Sequence, residues 1–83
     1  MKKAAALRYN TKKENAPRVV AKGEGQTAQN IIKIAQLHNL PIKKDEDLIE
    51  LLSKVELDKE VPEALYRAVA EVFSFIYKVS NKN

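Results

Sequence analysis

The amino-acid sequence predicts a single α/β domain, with a small sheet of three to four short strands flanked by about three helices. Short runs of β-branched and apolar residues alternate with longer segments in which apolar residues recur every three or four positions, the pattern of strands alternating with helices. The chain has 83 residues, which is enough for one hydrophobic core and too few for two. We therefore expect residues 1–83 to form one domain, with disorder confined to residues 1–3 and 80–83.

Two strands are predicted near the beginning of the chain. Residues Ala4–Tyr9 are compatible with an extended backbone and lead into a polar loop that closes on Pro17. Residues Arg18–Lys22 contain adjacent valines and stop at Gly23, and their continuous apolar centre predicts a strand covered on both faces. A third short strand is predicted at Leu40–Lys43, limited to an edge position because Pro41 cannot donate a ladder hydrogen bond.

Three helices are predicted after the second strand. The first follows from the helical spacing of apolar residues from Ala28 onward, and the second from Asp45, a suitable N-cap before acidic and then apolar residues. The third is long and begins with Pro62 at its first position. It carries a second apolar stripe, which requires either burial or a partner and consists of Tyr66, Ala70, Phe73 and Tyr77.

Composition excludes several classes of function. The chain has no cysteine and one histidine, so we expect no disulfide, no metal site and no cofactor. No apolar run approaches the roughly 20 residues that span a bilayer, so no membrane insertion is expected and the location is predicted to be cytoplasmic. The net charge is +4, but the lysines lie in separated pairs without interleaved aromatic residues, which argues against a nucleic-acid partner.

The segment from Gly23 to Ala28, "GEGQTA", matches the dinucleotide-binding pattern G-x-G-x-x-G/A between a strand and a helix. A phosphate could bind there to backbone N–H groups at the helix start. Against this, Glu24 places a negative charge inside the turn, and the chain is too short for a second mononucleotide-binding half. The favoured interpretation is structural, with the helix capped by Gln26 or Thr27, and nucleotide or phosphate binding remains the alternative.

No arrangement of residues predicts an active site. His38 lies near the end of the first helix, where it can satisfy free carbonyl groups, and the run from Asp45 to Asp47 is better suited to capping than to paired acid and base catalysis. We therefore expect no catalytic residues and no enzymatic activity.

Four segments of this sequence closely resemble the C-terminal cytoplasmic domain of the flagellar and type III secretion export switch proteins, the family of FlhB and its injectisome counterparts. They are "AAALRY", "APRVVAKG", "IAQLHNLPI" and "VPEALYRAVAEVFSFIY", and the resemblance covers about residues 4–77. It implies a bacterial export component that binds export substrates and helps the export gate switch between substrate classes. It also implies partners among the other export-gate proteins and a peripheral position at the inner membrane.

This sequence differs from the family at the self-cleavage motif. Family members cleave themselves between Asn and Pro of Asn-Pro-Thr-His, but here Met1 and Lys2 stand where Thr and His would be, and Asn-Pro lies before the chain. We therefore expect a stand-alone chain without self-cleavage, similar to the C-terminal product. It could dock on a truncated membrane-bound switch protein.

The family's substrate-docking surface is apolar. Carried over to this sequence, it comprises Ala16 and Pro17 before the second strand, with Ala70 and Phe73 on the last helix. Ala70 and Phe73 also belong to the second apolar stripe of that helix. Burial of these residues in the core is the competing interpretation.

Overall fold

A computed structural model of the chain describes residues 2–10 and 12–80, and for Ser80 it describes the backbone alone. Of the residues expected to be disordered at the two ends, Lys3 begins the first strand and Ser80 ends the last helix, while Met1 and residues 81–83 lie outside the described residues. Strands and helices combine in an α/β arrangement with three α-helices, as the sequence predicts.

The two strands form an antiparallel pair. Strand β1 (Lys3–Arg8) lies against β2 (Arg18–Glu24), with Lys3 opposite Glu24 and Arg8 opposite Arg18. The register shifts between Ala6 and Leu7, which lie opposite Ala21 and Val19. Val20 therefore has no partner on β1 and forms a β-bulge. Val19 is buried whereas Val20 and Ala21 are half-buried, so β2 is less completely covered than its apolar run predicts.

The prediction of a third strand at Leu40–Lys43 is wrong. This segment has no regular secondary structure, because Pro41 lacks an N–H and no strand lies beside it in the described part of the chain. The free side of β2 is instead covered by residues 58–61. The Val19 N–H donates to the Lys59 carbonyl at 3.1 Å, and the Val61 N–H donates to the Pro17 carbonyl at 2.8 Å. Within the described ranges the sheet therefore has two strands and one further bridge, between Arg18 and Glu60.

Helix α1 (Gln26–Leu37) begins after Gly25, which is the N-cap residue and makes no side-chain cap. The prediction that Gln26 or Thr27 caps this helix is therefore wrong, because both already lie in its first turn. At the other end Asn39 adopts a positive φ of 57°, and the Leu40 N–H reaches back to the Ala35 carbonyl at 2.8 Å. This is a helix ending of the Schellman type with asparagine in the left-handed position.

The second helix agrees closely with expectation, whereas the third begins four residues later than predicted. Helix α2 (Glu46–Leu52) is capped by the Asp45 carboxylate, which accepts a hydrogen bond from the Leu48 N–H at 3.0 Å. Helix α3 (Tyr66–Ser80) follows one 3₁₀ turn at Glu63–Leu65, so Pro62 precedes that turn and is not the first residue of the α-helix.

The hydrophobic core lies where β2, α2, the 53–61 loop and α3 meet. Its buried residues are Val19, Leu48, Leu52, Val55, Val61 and Val69. Valine and leucine fill this volume with few polar groups to satisfy, and no buried side-chain nitrogen or oxygen in the described residues lacks a hydrogen bond.

Candidate functional site

A groove of about 300 Å³ lies between the loop that joins β1 to β2 and the first half of α3. The loop and its flanks form one wall, and α3 forms the other. The groove is lined by Tyr9, Asn15, Pro17, Tyr66, Val69, Ala70 and Phe73.

Aromatic side chains shape this groove. The rings of Tyr9 and Phe73 meet across it, with centroids 6.1 Å apart and planes inclined at 51°. Tyr9 and Tyr66 are 42% and 39% exposed, so both could contact an incoming ligand. Two aromatic faces beside a small alanine can bind an apolar side chain and leave the tyrosine hydroxyls in water.

The structure brings together three of the four residues predicted to form the docking surface. Pro17, Ala70 and Phe73 all line the groove, although Pro17 is buried, and Phe73 is half-buried and also packs against the core. Ala70 and Phe73 share one side of α3 because they are three positions apart. Ala16 does not line the groove, and its exposed fraction of 1% leaves no surface for a ligand to contact.

Four lining residues are not in the predicted docking surface: Tyr9, Asn15, Tyr66 and Val69, of which Tyr66 belongs to the second apolar stripe. Tyr9 was expected to end a strand, and Asn15 lies in the segment that was expected to be a polar loop. Tyr9 and Asn15 lie within eight residues of Pro17 in the chain, so an aromatic residue in the loop before the predicted proline was the available signal. Tyr77, the last residue of the second stripe, is 71% exposed and lies outside the groove lining.

The loop that forms one wall is tied down by Glu14. Its carboxylate accepts hydrogen bonds from the Asn10 N–H at 2.8 Å and from the Arg8 guanidinium at 2.9 Å. A third donor, the Arg18 Nε, lies 3.0 Å away. The hydrogen bonds from Arg8 and Asn10 hold the pKa of Glu14 below its usual value, with burial opposing them.

This ion cluster lines a second cleft of about 340 Å³ beside the same loop. Its lining comprises Arg8, Asn10, Lys13, Glu14 and Arg18. The two clefts share no lining residue, so the loop presents charged groups on one side and groove residues on the other.

The glycine turn is accounted for by local backbone geometry. Gly25 has a φ of 57° and a ψ of −123°, a conformation that side chains disfavour, and its N–H donates to the Lys2 carbonyl at 2.8 Å. A Cβ on Gly23 would lie only 2.7 Å from the Thr27 Cβ and closer still to its methyl group. Both glycines are therefore explained without a ligand.

The polar residues considered for catalysis occupy structural positions. His38 is the C-cap residue of α1 and its backbone N–H donates to the Ile34 carbonyl at 3.1 Å, while Asp45 caps α2. Across residues 2–10 and 12–80, no three acidic, histidine or cysteine side chains are grouped so that they could hold a metal ion. In the same residues, no helix has the length and apolar character needed to cross a membrane.

Comparison with known sequences finds relatives over nearly the whole chain. The profile of the FlhB HrpN YscU SpaS family matches residues 1–76. The protein YlqH of Bacillus subtilis (strain 168) is 51% identical over 79 residues, which cover 95% of this chain and 85% of YlqH. The flagellar biosynthetic protein FlhB of Aquifex aeolicus (strain VF5) is 42% identical over 74 residues, covering 88% of this chain and 21% of that protein. This chain therefore spans about a fifth of the length of that FlhB.

Solved structures show the same fold. The cytoplasmic domain of FlhB from Shewanella putrefaciens superimposes with a TM-score of 0.89 at 32% identity, covering 94% of this chain and 61% of that domain's chain. A point-substituted C-terminal domain of EscU/SpaS gives a TM-score of 0.87 at 25% identity, with 92% and 95% of the two chains covered. The arrangement of strands, helices and groove described above is thus built on a fold that these domains share.

Proposed function

The chain belongs to the FlhB HrpN YscU SpaS family, and on that premise we propose that it is a non-enzymatic component of the flagellar type III protein export apparatus. In this role it binds apolar segments of export substrates in the groove and supports the switch between substrate classes. It works in the cytoplasm, at the periphery of the inner-membrane export gate. Its partners are export substrates and the other proteins of that gate.

The observation that carries this proposal is the agreement of two independent arguments on one groove. Resemblance to the family pointed to Ala16, Pro17, Ala70 and Phe73, and three of these four residues, all but Ala16, line a single apolar cleft. A small residue on α3 keeps the centre of the cleft open, and the Tyr9 and Phe73 rings provide its walls. Such a cleft suits one or two apolar side chains of an extended or helical segment.

The test is a titration of the isotope-labelled chain with purified export substrates, monitored by amide and methyl chemical shifts. We expect shifts to concentrate on Tyr9, Ala70 and Phe73. Ala70→Asp should abolish them, because a carboxylate would be desolvated in the groove. Ser74→Asp is the matched control, since Ser74 is also exposed on α3 and lies outside the groove lining. Equal loss of binding in both variants, or shifts away from the groove, would contradict the proposal.

A second contact with the export gate could use the outer edge of β1. The Lys2 carbonyl accepts from the Gly25 N–H, so by strand alternation Lys2, Ala4 and Ala6 direct their backbone groups toward β2. Lys3 and Ala5 then direct theirs to the other edge, where no strand pairs in the described part of the chain. A strand from a truncated membrane-bound switch protein could add to this edge and extend the sheet.

This edge contact is tested with a synthetic peptide of the segment that precedes the cleavage motif in a membrane-bound FlhB. We expect the amides of Lys3 and Ala5 to shift and to gain protection from hydrogen exchange. A scrambled peptide of the same composition is the control. If neither the peptide nor the export substrates change the spectrum, the proposed function is wrong.

A further inference from the structure

Glu14 stands out as a nearly buried carboxylate outside the groove. Its side chain is 7% exposed, whereas its partners Arg8 and Arg18 are 62% and 35% exposed. One carboxylate oxygen accepts from the Asn10 N–H, and the other accepts from both arginines. Both carboxylate oxygens of Glu14 therefore accept hydrogen bonds, and the negative charge strengthens each of these bonds.

The donors to Glu14 come from different parts of the chain. Arg8 is the last residue of β1, Asn10 lies in the loop, and Arg18 is the first residue of β2. The loop also folds on itself locally, since the Asn10 carbonyl accepts from the N–H groups of Lys13 and Glu14 at 3.1 and 2.8 Å. One carboxylate therefore links both ends of the loop and fixes its path between the strands.

The same loop forms a wall of the groove. Tyr9 lies between two partners of Glu14, Asn15 follows Glu14 directly, and Pro17 precedes Arg18. Each of these three lining residues is therefore adjacent in the chain either to Glu14 or to a residue that donates to its carboxylate. Because no residue is common to the two clefts, Glu14 acts on the groove through the loop and does not contact a ligand there.

We propose that Glu14 is the positioning residue of the groove: its negative charge holds loop residues 9–10 and 12–17 in the conformation that places Tyr9 against Phe73 and keeps the cleft open. This inference rests on the proposed function, in which the groove is the docking site. The charge is required because a neutral side chain of the same shape would remove the carboxylate that pairs with Arg8 and leave Arg18, among the described residues, with only the more distant Glu60 carboxylate, at 3.8 Å.

The experiment compares Glu14→Gln with the wild-type chain by NMR and by binding of the uncharged apolar dye N-phenyl-1-naphthylamine. In the variant we expect exchange of the Asn10 amide to accelerate about tenfold or more, as loss of a charge-assisted hydrogen bond predicts. We also expect the Tyr9–Phe73 ring contact to weaken, and the dye to bind several-fold more weakly. Amide protection in β2 and α3 should be retained. Ala70→Asp locates the dye, because it should abolish dye binding in the groove.

Glu50→Gln is the matched control. Glu50 is also ion-paired, but within the described ranges only with the Lys3 ammonium at 2.8 Å, and it lies on α2 and is 59% exposed. This variant should leave the loop and the dye affinity unchanged. If Glu14→Gln does not fold, Arg8→Gln replaces it, since Arg8 is largely exposed and should give a smaller change in the same direction.

Unchanged loop exchange and ring contact in Glu14→Gln would overturn the proposal. A lower unfolding midpoint with an unaltered dissociation constant of the dye would also overturn it, because it would mean that Glu14 acts only on global stability. If the dye does not bind the wild-type groove, exchange of Asn10 and the ring contact decide the question alone. All these measurements are made without export substrates, so failure of the proposed function would leave their outcome intact.

Discussion

The two ends of β2 show how differently a loop can be held in place. At its beginning, the loop that leads to Pro17 is fixed by the Glu14 carboxylate and its charged partners, and it presents an apolar groove. At its end, the Gly23–Gly25 turn is fixed by backbone conformation and by one hydrogen bond to the Lys2 carbonyl. The first loop uses side chains to build a surface, and the second uses glycine to change direction.

This difference teaches that a conspicuous motif and a functional surface need not coincide. The glycine pattern resembles a phosphate-binding turn because it precedes a helix. Its two glycines are instead required by steric contact at Gly23 and by the positive φ of Gly25. The Ala16–Pro17 pair has no catalytic signature, yet both residues are buried and Pro17 also lines the groove. Three predictions sharpen this contrast, from the largest expected effect to the smallest.

Ala16→Asp should produce the largest effect, by unfolding the beginning of β2. Ala16 is 1% exposed, and an uncompensated buried carboxylate costs about 3–5 kcal/mol. A loss of that size would remove most of the stability of a small domain. Thermal unfolding followed by circular dichroism measures it. Ala70→Asp is the matched comparison, since Ala70 is exposed and the cost should stay below about 1 kcal/mol. Equal stability of the two variants would mean that Ala16 is a surface residue.

Gly25→Ala should destabilise the other end of β2 by about 1–3 kcal/mol, because φ of 57° with ψ of −123° strains any residue with a Cβ. The groove should be unaffected, so substrate or dye binding by the folded fraction stays at the wild-type level. Urea unfolding gives the free energy, and Glu24→Ala, an exposed neighbour, serves as the control. A variant as stable as the wild type would show that the turn tolerates a side chain and that glycine has another purpose there.

Acid should weaken the beginning of β2 and leave the glycine turn unaffected. The pKa of Glu14 in the folded chain lies below its usual value of 4.5, so its contribution to stability is complete above pH 4.5 and is lost as the pH falls through the lowered folded value. Glu14→Gln should therefore be less stable than the wild type near pH 7, and the difference should shrink toward pH 3.

The measurement for this prediction is the free energy of unfolding in urea at several pH values for both chains. Glu50→Gln provides the comparison, because the hydrogen bond from Lys3 also lowers the pKa of Glu50 but its side chain is largely exposed. We expect a smaller difference for that variant, since exposed ion pairs are screened by solvent. A Glu14→Gln difference that does not change with pH would show that shape and not charge is responsible.

Much of the fold could be predicted because its signals are local. The Asp45 cap, the apolar spacing of α3 and the valines of β2 each depend on residues that are close in the chain. The predicted strand at Leu40–Lys43 is absent for a reason that is not local. An extended segment becomes a strand only when a partner lies beside it, and the position next to β2 is occupied by residues 58–61 through the Val61 N–H and its neighbours.

The candidate site was predictable only in part for the same reason. Resemblance named Ala16 and Pro17 together, and both are buried, but only Pro17 borders the groove. The sequence cannot say which of two adjacent buried residues reaches the groove, because that depends on how the chain bends before β2. Likewise, Glu14 is one of many acidic residues in the sequence, and its burial among arginines depends on where the two strands end.

The sequence by itself determined the class of the domain, its family and the helices, because helical periodicity, capping residues and family motifs are properties of neighbouring positions. Only the tertiary structure decided that Pro17 and not Ala16 lines the groove, that Tyr9 meets Phe73, and that Glu14 ties the loop to both strands. These facts depend on contacts between residues that are distant in the chain or on the side to which a backbone turns. Such contacts follow from packing of the whole core, and no short stretch of sequence contains them.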